Sequence, residues 1–158
     1  MKSSTETSKV LFDTSYILPT LGISVGPAIE RNIKLLTEVG VEIYYSRLSI
    51  LESLWVAART IQDGSFDPER YRLGLRSIID GGGYKRVDED SQIFTEALKL
   101  YSLGHKDMID NMLYASAVHL NMRLVTRDRE LEKFVLEKKL KNVLSIFPDE
   151  PSPKGDSS

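Results

Sequence analysis

The chain has 158 residues, of which 41% are apolar and 28% are charged, a composition typical of one globular domain rather than of a disordered chain. Lys and Arg total 21 and Asp and Glu total 23, so the net charge of −2 excludes a polybasic nucleic-acid coat but leaves room for a local basic patch. The absence of Cys excludes disulfides, Cys-based zinc sites and thiol nucleophiles, and with only two His any metal site must rest on oxygen ligands.

The ends of the chain differ in composition from its middle. Residues 1–9 are polar and lack the apolar stretch of a signal peptide, and the segment 148–158 holds three Pro, one Gly and three Ser. We therefore expect a disordered N-terminus at 1–9, a single domain at 10–147 and a disordered tail at 148–158. No apolar run approaches the roughly 18 residues of a membrane span, so the sequence predicts a cytoplasmic protein without membrane association.

The first half of the domain alternates short apolar runs with helical patterns. Residues 10–12 are predicted to form a buried strand that ends at Asp13. A helix begins at Gly26-Pro27 and ends at Gly40, and a β-branched and aromatic run predicts a strand over 41–45. A strongly apolar helix then extends from Ser46 or Ser49 to about Thr60, and Trp55 within it is expected to lie in the core.

The second half continues the alternation. The predicted elements are a helix opened by Asp67-Pro68 and broken by the glycines at 81–83, a weak strand at 84–87, helices from Asp90 to Tyr101 and at 106–120, a strand at 124–126, a helix at 129–139 and a strand at 143–147. Strands separated by helices need crossover connections. The order therefore predicts an α/β fold, a three-layer α/β/α sandwich with a mostly parallel sheet.

Acidic residues stand where the strands of such a sheet would end. Asp13 directly follows the first strand, and Asp128 follows the strand at 124–126 after one residue. Glu52 and Asp110 lie near the starts of helices, and periodicity alone does not decide whether the helix of Asp110 begins at the same edge. Carboxylates gathered at one point either have raised pKa values or hold a cation, and with oxygen ligands that cation would be Mg²⁺ or Mn²⁺.

Each acid also has a purely structural interpretation. Asp13, Asp107 and Asp128 can act as helix N-caps. Glu52 fits a capping box with Ser49, and Asp110 can interact favourably with the dipole of its helix.

Three segments resemble the PIN-domain family of nucleases. These are the opening Val-Leu-Phe-Asp-Thr-Ser-Tyr-Ile-Leu at 10–18, the segment Ser-Ile-Leu-Glu-Ser-Leu at 49–54, and the stretch from Asp110 to the Thr-Arg-Asp ending at 126–128. The resemblance covers about 10–147 and implies a parallel five-stranded sheet. It also implies a site made of four acids with three supporting residues: Asp13, Glu52, Asp110 and Asp128, supported by Thr126, Ser15 and Asp107.

The resemblance implies an Mg²⁺- or Mn²⁺-dependent endoribonuclease that acts on single-stranded or structured RNA. Such an enzyme is either a VapC-like toxin with a small antitoxin partner or an RNA-processing enzyme. Candidate RNA-binding residues lie close in sequence to the acids: Arg127, Arg129, Lys106 and Arg47. The alternative interpretation of such basic residues is a solvated helix face with ordinary charge pairs.

Three further expectations complete the sequence analysis. A PIN fold that binds RNA or a protein without cutting is the main alternative to the nuclease. A phosphotransferase of the haloacid dehalogenase type is disfavoured, since it needs an Asp where this chain has Ser15. The family habit of dimerisation predicts a homodimer, with exposed side chains around 71–75 as a candidate contact.

Overall fold

The computed structural model describes residues 8–147. The predicted disordered tail at 148–158 lies outside the described residues. The same holds for the predicted disordered N-terminus at 1–9, apart from residues 8 and 9. Lys9 already belongs to the first strand, one residue before the predicted start of the domain. Within the described range, no helix is both long and apolar enough to cross a membrane.

The described residues form strands and helices in alternation. The strands are β1 (Lys9–Phe12), β2 (Glu42–Tyr45), β3 (Lys85–Arg86), β4 (Arg123–Val125) and β5 (Leu144–Ser145). The helices are α1 (Thr14–Ile17), α2 (Pro27–Val39), α3 (Arg47–Asp63), α4 (Pro68–Leu75), α5 (Ser91–Leu103), α6 (Met108–Leu120) and α7 (Arg129–Glu137). A 3-10 turn at Leu18–Leu21 follows α1, and a π-helical turn at Arg76–Asp80 extends α4.

The five strands form one parallel sheet in the order β3-β2-β1-β4-β5, which confirms the predicted fold class. The central strand is β1, where Leu11 pairs with Tyr44 on one side and with Leu124 on the other. The chain builds the sheet outward from β1 in one direction and then returns to add β4 and β5 in the other. The crevice at the carboxyl ends of β1 and β4 is therefore the switch point at which such sheets place ligands.

Side chains of β1 alternate between two hydrophobic cores. Leu11 packs in a core with residues of α5, α6 and α7, whereas Val10 and Phe12 pack in a second core with α1, α3 and α4. This alternation follows from the period of two along a strand. Because both faces of the sheet are covered by helices, polar side chains can reach ligands only at its edges.

Helix α1 and the turn after it were not predicted, because eight residues are too few to show a helical period. Asp13 begins α1, since its Oδ1 accepts a hydrogen bond from the backbone amide of Tyr16 at 3.3 Å. Tyr16 and Ile17 are buried against the sheet, so tertiary packing stabilises a helix that would not form alone. Helix α3 runs three residues past the predicted Thr60, and α7 and β5 are shorter than predicted.

The expectation that Trp55 lies in the core is wrong. The buried face of α3 consists of Ser49, Ser53 and Ala57, and Trp55 lies away from that face with 57% of its surface exposed. Small residues at this spacing let α3 approach its neighbours closely. In the candidate dimer segment at 71–75, Tyr71 is buried and its hydroxyl forms a hydrogen bond with that of Ser53. Leu73 is therefore the exposed apolar side chain that this segment could offer to a second copy. Dimerisation itself stays a prediction.

Candidate functional site

A cleft of about 500 Å³ lies at the carboxyl ends of β1 and β4. Its lining comes from β1 and α1, from α3, from the start of α6 and from the residues after β4: Asp13, Thr14, Ser15, Leu18, Glu52, Trp55, Val56, Arg59, Asp107, Asp110, Arg127 and Asp128. The cleft thus contains all four acids of the predicted site. The helix of Asp110 does begin at this edge of the sheet, a point that periodicity had left open.

Asp13 is the most deeply buried acid of the cleft, with 6% of its surface exposed. Its backbone amide donates to the carbonyl of Val125, which ties the end of β1 to the end of β4. Its Oδ2 accepts a 2.5 Å hydrogen bond from the hydroxyl of Thr126. Burial raises the pKa of Asp13 to about 6, although the hydrogen bonds from Thr126 and from the amide of Tyr16 oppose the rise.

The carboxyl groups of Asp110 and Asp128 line the same cleft and influence each other's pKa. Burial, the bond to Asp128 and the negative charge of Asp107 raise the pKa of Asp110 to about 9. Burial would also raise the pKa of Asp128, but the bond from Asp110 and the backbone amides of Leu131 and Glu130 hold it below its usual value. Near neutral pH the pair therefore carries less negative charge than two ordinary carboxylates would.

The capping interpretations hold for three acids at once. Asp13, Asp107 and Asp128 each accept a hydrogen bond from a backbone amide in the first turn of α1, α6 and α7 respectively. Capping and a place in the cleft are compatible, because each N-cap also stands where its helix begins at the site. The capping box of Ser49 and Glu52 is wrong, since Ser46 caps α3 through the amide of Leu48.

Glu52 lies in the second turn of α3 and lines the cleft. The hydroxyl of Thr14 donates a 2.5 Å hydrogen bond to Oε1 of Glu52, which links α1 to α3. Ser15 also lines the cleft, whereas the hydroxyl of Ser49, although fully buried, has no hydrogen-bond partner among the described residues. Thr14 is a site residue that the sequence reasoning missed.

The donor chemistry of the cleft fits a hard divalent cation. Every acid in it offers oxygen, and the pKa values of Asp13 and Asp110 are raised first by burial and then by neighbouring carboxylates, two effects that a bound cation would offset. In the described part of the chain, however, no group of three or more His, Cys, Asp or Glu side chains stands ready to hold a metal ion.

Two arginines line the cleft, and only one of them was predicted. Arg127 follows β4 and donates through Nη1 to the carbonyl of Val25 at 3.3 Å, and Arg59 lies on α3. The other three predicted RNA-binding residues, Arg129, Lys106 and Arg47, do not line the cleft. Nη1 of Arg129 pairs with Oε1 of Glu132 at 3.1 Å, and Nζ of Lys106 lies 4.2 Å from the ring centre of Tyr101.

Helical spacing was the signal that could have found Arg59 and Trp55. Positions 52, 55, 56 and 59 follow the three- and four-residue steps that place side chains on one face of a helix. Once Glu52 is assigned to a site, Trp55, Val56 and Arg59 belong to the same face of α3, and all three line the cleft.

The fold and the cleft together define an α/β protein whose carboxylate-rich site lies at the switch point of a parallel sheet. The family model described as "PIN domain" matches residues 10–135, which is most of the chain. The chain therefore belongs to the PIN-domain family, whose members are generally nucleases. No curated protein matches the chain.

Solved structures of toxin–antitoxin proteins share the fold. The chain is similar to VapBC2 from Rickettsia felis bound to a promoter DNA fragment, with a TM-score of 0.62, 14% identity and coverage of 89% of this chain and 99% of that one. For FitAcB from Neisseria gonorrhoeae the TM-score is 0.55, with 14% identity and coverage of 88% and 96%. For DNA-bound VapBC from Salmonella typhimurium the TM-score is 0.52, with 19% identity and coverage of 80% of this chain and 92% of that one.

Proposed function

We propose that this PIN-domain protein is a divalent-metal-dependent endoribonuclease. The observation that carries the proposal is that one cleft brings together the four acids Asp13, Glu52, Asp110 and Asp128 and is also lined by Arg59 and Arg127. Such a cluster is costly for stability, because like charges held together repel each other or must take up protons. A folding role does not account for it, whereas binding a cation and a phosphodiester does.

Four acids would hold Mg²⁺ or Mn²⁺: Asp13, Glu52, Asp110 and Asp128. A bound ion of this kind lowers the pKa of water and stabilises charge on a phosphoryl group. Binding would release the proton that Asp110 keeps, since ligands must be deprotonated. Thr126 orients Asp13 and accepts a bond from the amide of Asp128 at 3.0 Å, so one side chain positions two of the acids. Arg127 would contact the phosphate backbone.

The biological setting that we propose is the toxin of a toxin–antitoxin pair. The support is the fold shared with the VapBC structures described above and with a toxin–antitoxin complex from Klebsiella pneumoniae, for which the TM-score is 0.51 and the identity 17%, with coverage of 77% of this chain and 88% of that one. A small antitoxin protein would then be the partner of this chain. Expression of the chain alone should arrest growth, and co-expression of the product of a neighbouring gene should restore it. Normal growth on expression of an active nuclease would instead favour an RNA-processing role.

A non-catalytic PIN module that binds RNA or a protein is the second candidate. The specific observation in its favour is that no three acids in the described chain are arranged to hold a metal. Calorimetry with Mn²⁺ discriminates between the two candidates. A binding event that releases protons and is lost in Asp110→Asn supports the nuclease, and no detectable binding at millimolar Mn²⁺ supports the module.

The direct test is cleavage of a labelled RNA by an excess of purified protein with Mn²⁺, and with a chelator as the blank. We expect Asp13→Asn to lower the cleavage rate by about 10³-fold or more, since it removes charge from the centre of the cluster. Asp80→Asn is the matched control, because Asp80 is exposed and does not line the cleft. Equal cleavage by wild type and Asp13→Asn would overturn the proposal.

A further inference from the structure

The outer face of α3 carries the exposed indole of Trp55, which belongs to the cleft. Trp55 is the single Trp of the chain, and 57% of its surface is exposed. An aromatic side chain of this size is normally buried, because leaving it in water forgoes much favourable burial. Along residues 8–147, no other ring and no Lys or Arg cation lies against the indole.

Arg59 stands one helical turn beyond Trp55 on the same lining of the cleft. Among the described side chains, none forms a hydrogen bond or an ion pair with its guanidinium group. Arg59 differs in this from Arg72, which pairs with Glu69, and from Arg129, which pairs with Glu132. Arg59 is thus available for an anion from outside the chain.

One acid of the cleft, Glu52, lies one turn before Trp55 on the same helix, since it precedes Trp55 by three residues. Residues three or four apart on a helix have neighbouring side chains, so the order along α3 is carboxylate, flat aromatic surface and cation. A nucleotide offers the complementary groups: a phosphate for the metal and acids, a base for the aromatic ring and a following phosphate for the cation. A stacked base needs to be unpaired, because in a duplex its faces are covered by its neighbours.

We propose that Trp55 and Arg59 form a subsite for an unpaired nucleotide next to the cleaved phosphodiester, with the base stacked on Trp55 and a phosphate held by Arg59. This inference rests on the proposed function and adds the substrate class to it, namely single-stranded RNA. The rest of the apolar face of α3 lies outside the cleft lining, as the exposed Leu51 and Leu54 show, so only the part that borders the acids is assigned to RNA.

The single Trp makes the test direct. The Asp13→Asn protein, which the proposed function expects to be inactive, is titrated in the presence of Mg²⁺ with an eight-residue oligoadenylate, while the intrinsic Trp fluorescence and the affinity are recorded. We expect quenching that saturates with binding, because stacking places a base against the indole. Trp55→Ala should weaken binding about 5- to 100-fold, Trp55→Phe should retain most of the affinity, and Arg59→Gln should weaken binding and lower its salt dependence.

Leu54→Ala is the matched control, because Leu54 is an exposed apolar neighbour on α3 outside the cleft lining. Its affinity for the oligonucleotide should stay within twofold of that of the parent. Thermal unfolding of each variant verifies that the fold is intact. We expect an intact fold in the Trp55 variants, because Trp55 is exposed and contributes little to the core. Binding without quenching, or equal affinity in Trp55→Ala and the parent, would overturn the subsite, as would failure of the parent to bind.

The two proposals fail in different ways. An RNA that binds and quenches Trp55 but is never cleaved with Mn²⁺ removes the nuclease and leaves the subsite. Cleavage that depends on Asp13 but not on Trp55 or Arg59 removes the subsite and leaves the nuclease. If a protein partner, and not the oligonucleotide, shifts the Trp55 emission, the face is a protein-docking surface and the subsite is refuted.

Discussion

The hydroxyl of Thr126 donates to Oδ2 of Asp13 at 2.5 Å across the ends of two neighbouring parallel strands. The same hydroxyl accepts from the backbone amide of Asp128 at 3.0 Å. Thr126 is 1% exposed, so its bonds act in a water-poor environment where they are strong and where losing a partner is costly. Two acids of the proposed site therefore depend on one threonine for their positions.

Thr126→Val should shift the pH dependence of cleavage. The hydrogen bond from Thr126 lowers the pKa of Asp13, which is about 6 with the bond in place, so its loss should raise that pKa further. The acidic limb of the profile should move to higher pH, and the free energy of unfolding should fall by about 1–3 kcal/mol. Thr126→Ser should restore the profile. An unshifted profile in the valine variant would show that Thr126 does not position Asp13.

Two substitutions at Asp128 should separate its roles in capping and in the site. Its Oδ1 accepts from the amides of Glu130 and Leu131 at the start of α7. Asn can keep this cap but has no charge, so Asp128→Asn should lose cleavage and only a few tenths of a kcal/mol of stability. Asp128→Ala should also lose cleavage, and its free energy of unfolding should be about 1 kcal/mol lower than that of Asp128→Asn because the cap is lost. Denaturant unfolding gives the stabilities, and retained cleavage in Asp128→Asn would contradict the proposed metal role.

The metal-free protein should become less stable as the pH rises from about 4 to about 9. The folded pKa of Asp110 is about 9 against an ordinary value of 3.8, so between these values the folded state binds a proton that the unfolded state has lost. Asp13 acts in the same direction up to about pH 6. The pKa of Asp128 is lowered, so its opposite contribution changes only at pH values near and below its ordinary 3.8.

Asp110→Asn isolates this effect. Because the variant does not need a proton, it should be more stable than wild type at pH 8 in a chelating buffer, by about 2 kcal/mol after allowance for partial solvation of the cleft. The difference should shrink towards pH 4. Denaturant unfolding at both pH values measures it. A variant less stable than wild type at pH 8 would mean that the Asp110 carboxyl contributes to folding rather than opposing it.

Arg127→Gln should weaken RNA binding more than Arg129→Gln. Arg127 lines the cleft, whereas Arg129 is paired with Glu132 away from the lining. Loss of a phosphate contact lowers the affinity for all RNA sequences alike. It also makes the slope of log affinity against log salt concentration shallower by about 1. Binding of a labelled RNA across a salt series measures both. Equal effects of the two substitutions would place both arginines on the substrate, as the sequence alone had suggested.

Gly74→Ala tests how the wall of the cleft is supported. A Cβ at Gly74 would lie 2.2 Å from the carbonyl oxygen of Thr20, so α4 could no longer pack against the turn that follows α1. We expect a loss of about 2–3 kcal/mol in the free energy of unfolding. Gly83→Ala is the control, because no atom lies within 4 Å of a Cβ there. Similar stabilities of the two variants would contradict the close packing of α4.

Local patterns were sufficient for the strands, for most of the helices and for the positions of the acids. Asp13 and Asp128 could be assigned to the sheet edge because a buried strand has a definite end, and Asp90 and Asp67 begin helices as predicted. Short or tertiary-stabilised elements were missed. Helix α1 shows no helical period, and the exposed position of Trp55 depends on which face of α3 meets the sheet.

By itself, the sequence determined the alternation of elements, the oxygen-only donor set and the family to which the chain belongs, since these follow from residue type and spacing along the chain. Only the tertiary structure decided which groups meet. Thr126 reaches Asp13 across 113 residues because β4 pairs with β1, and Asp110 and Asp128 line the same cleft because α6 begins beside the end of β4. Contacts of this kind depend on strand order and helix packing, which no local pattern encodes.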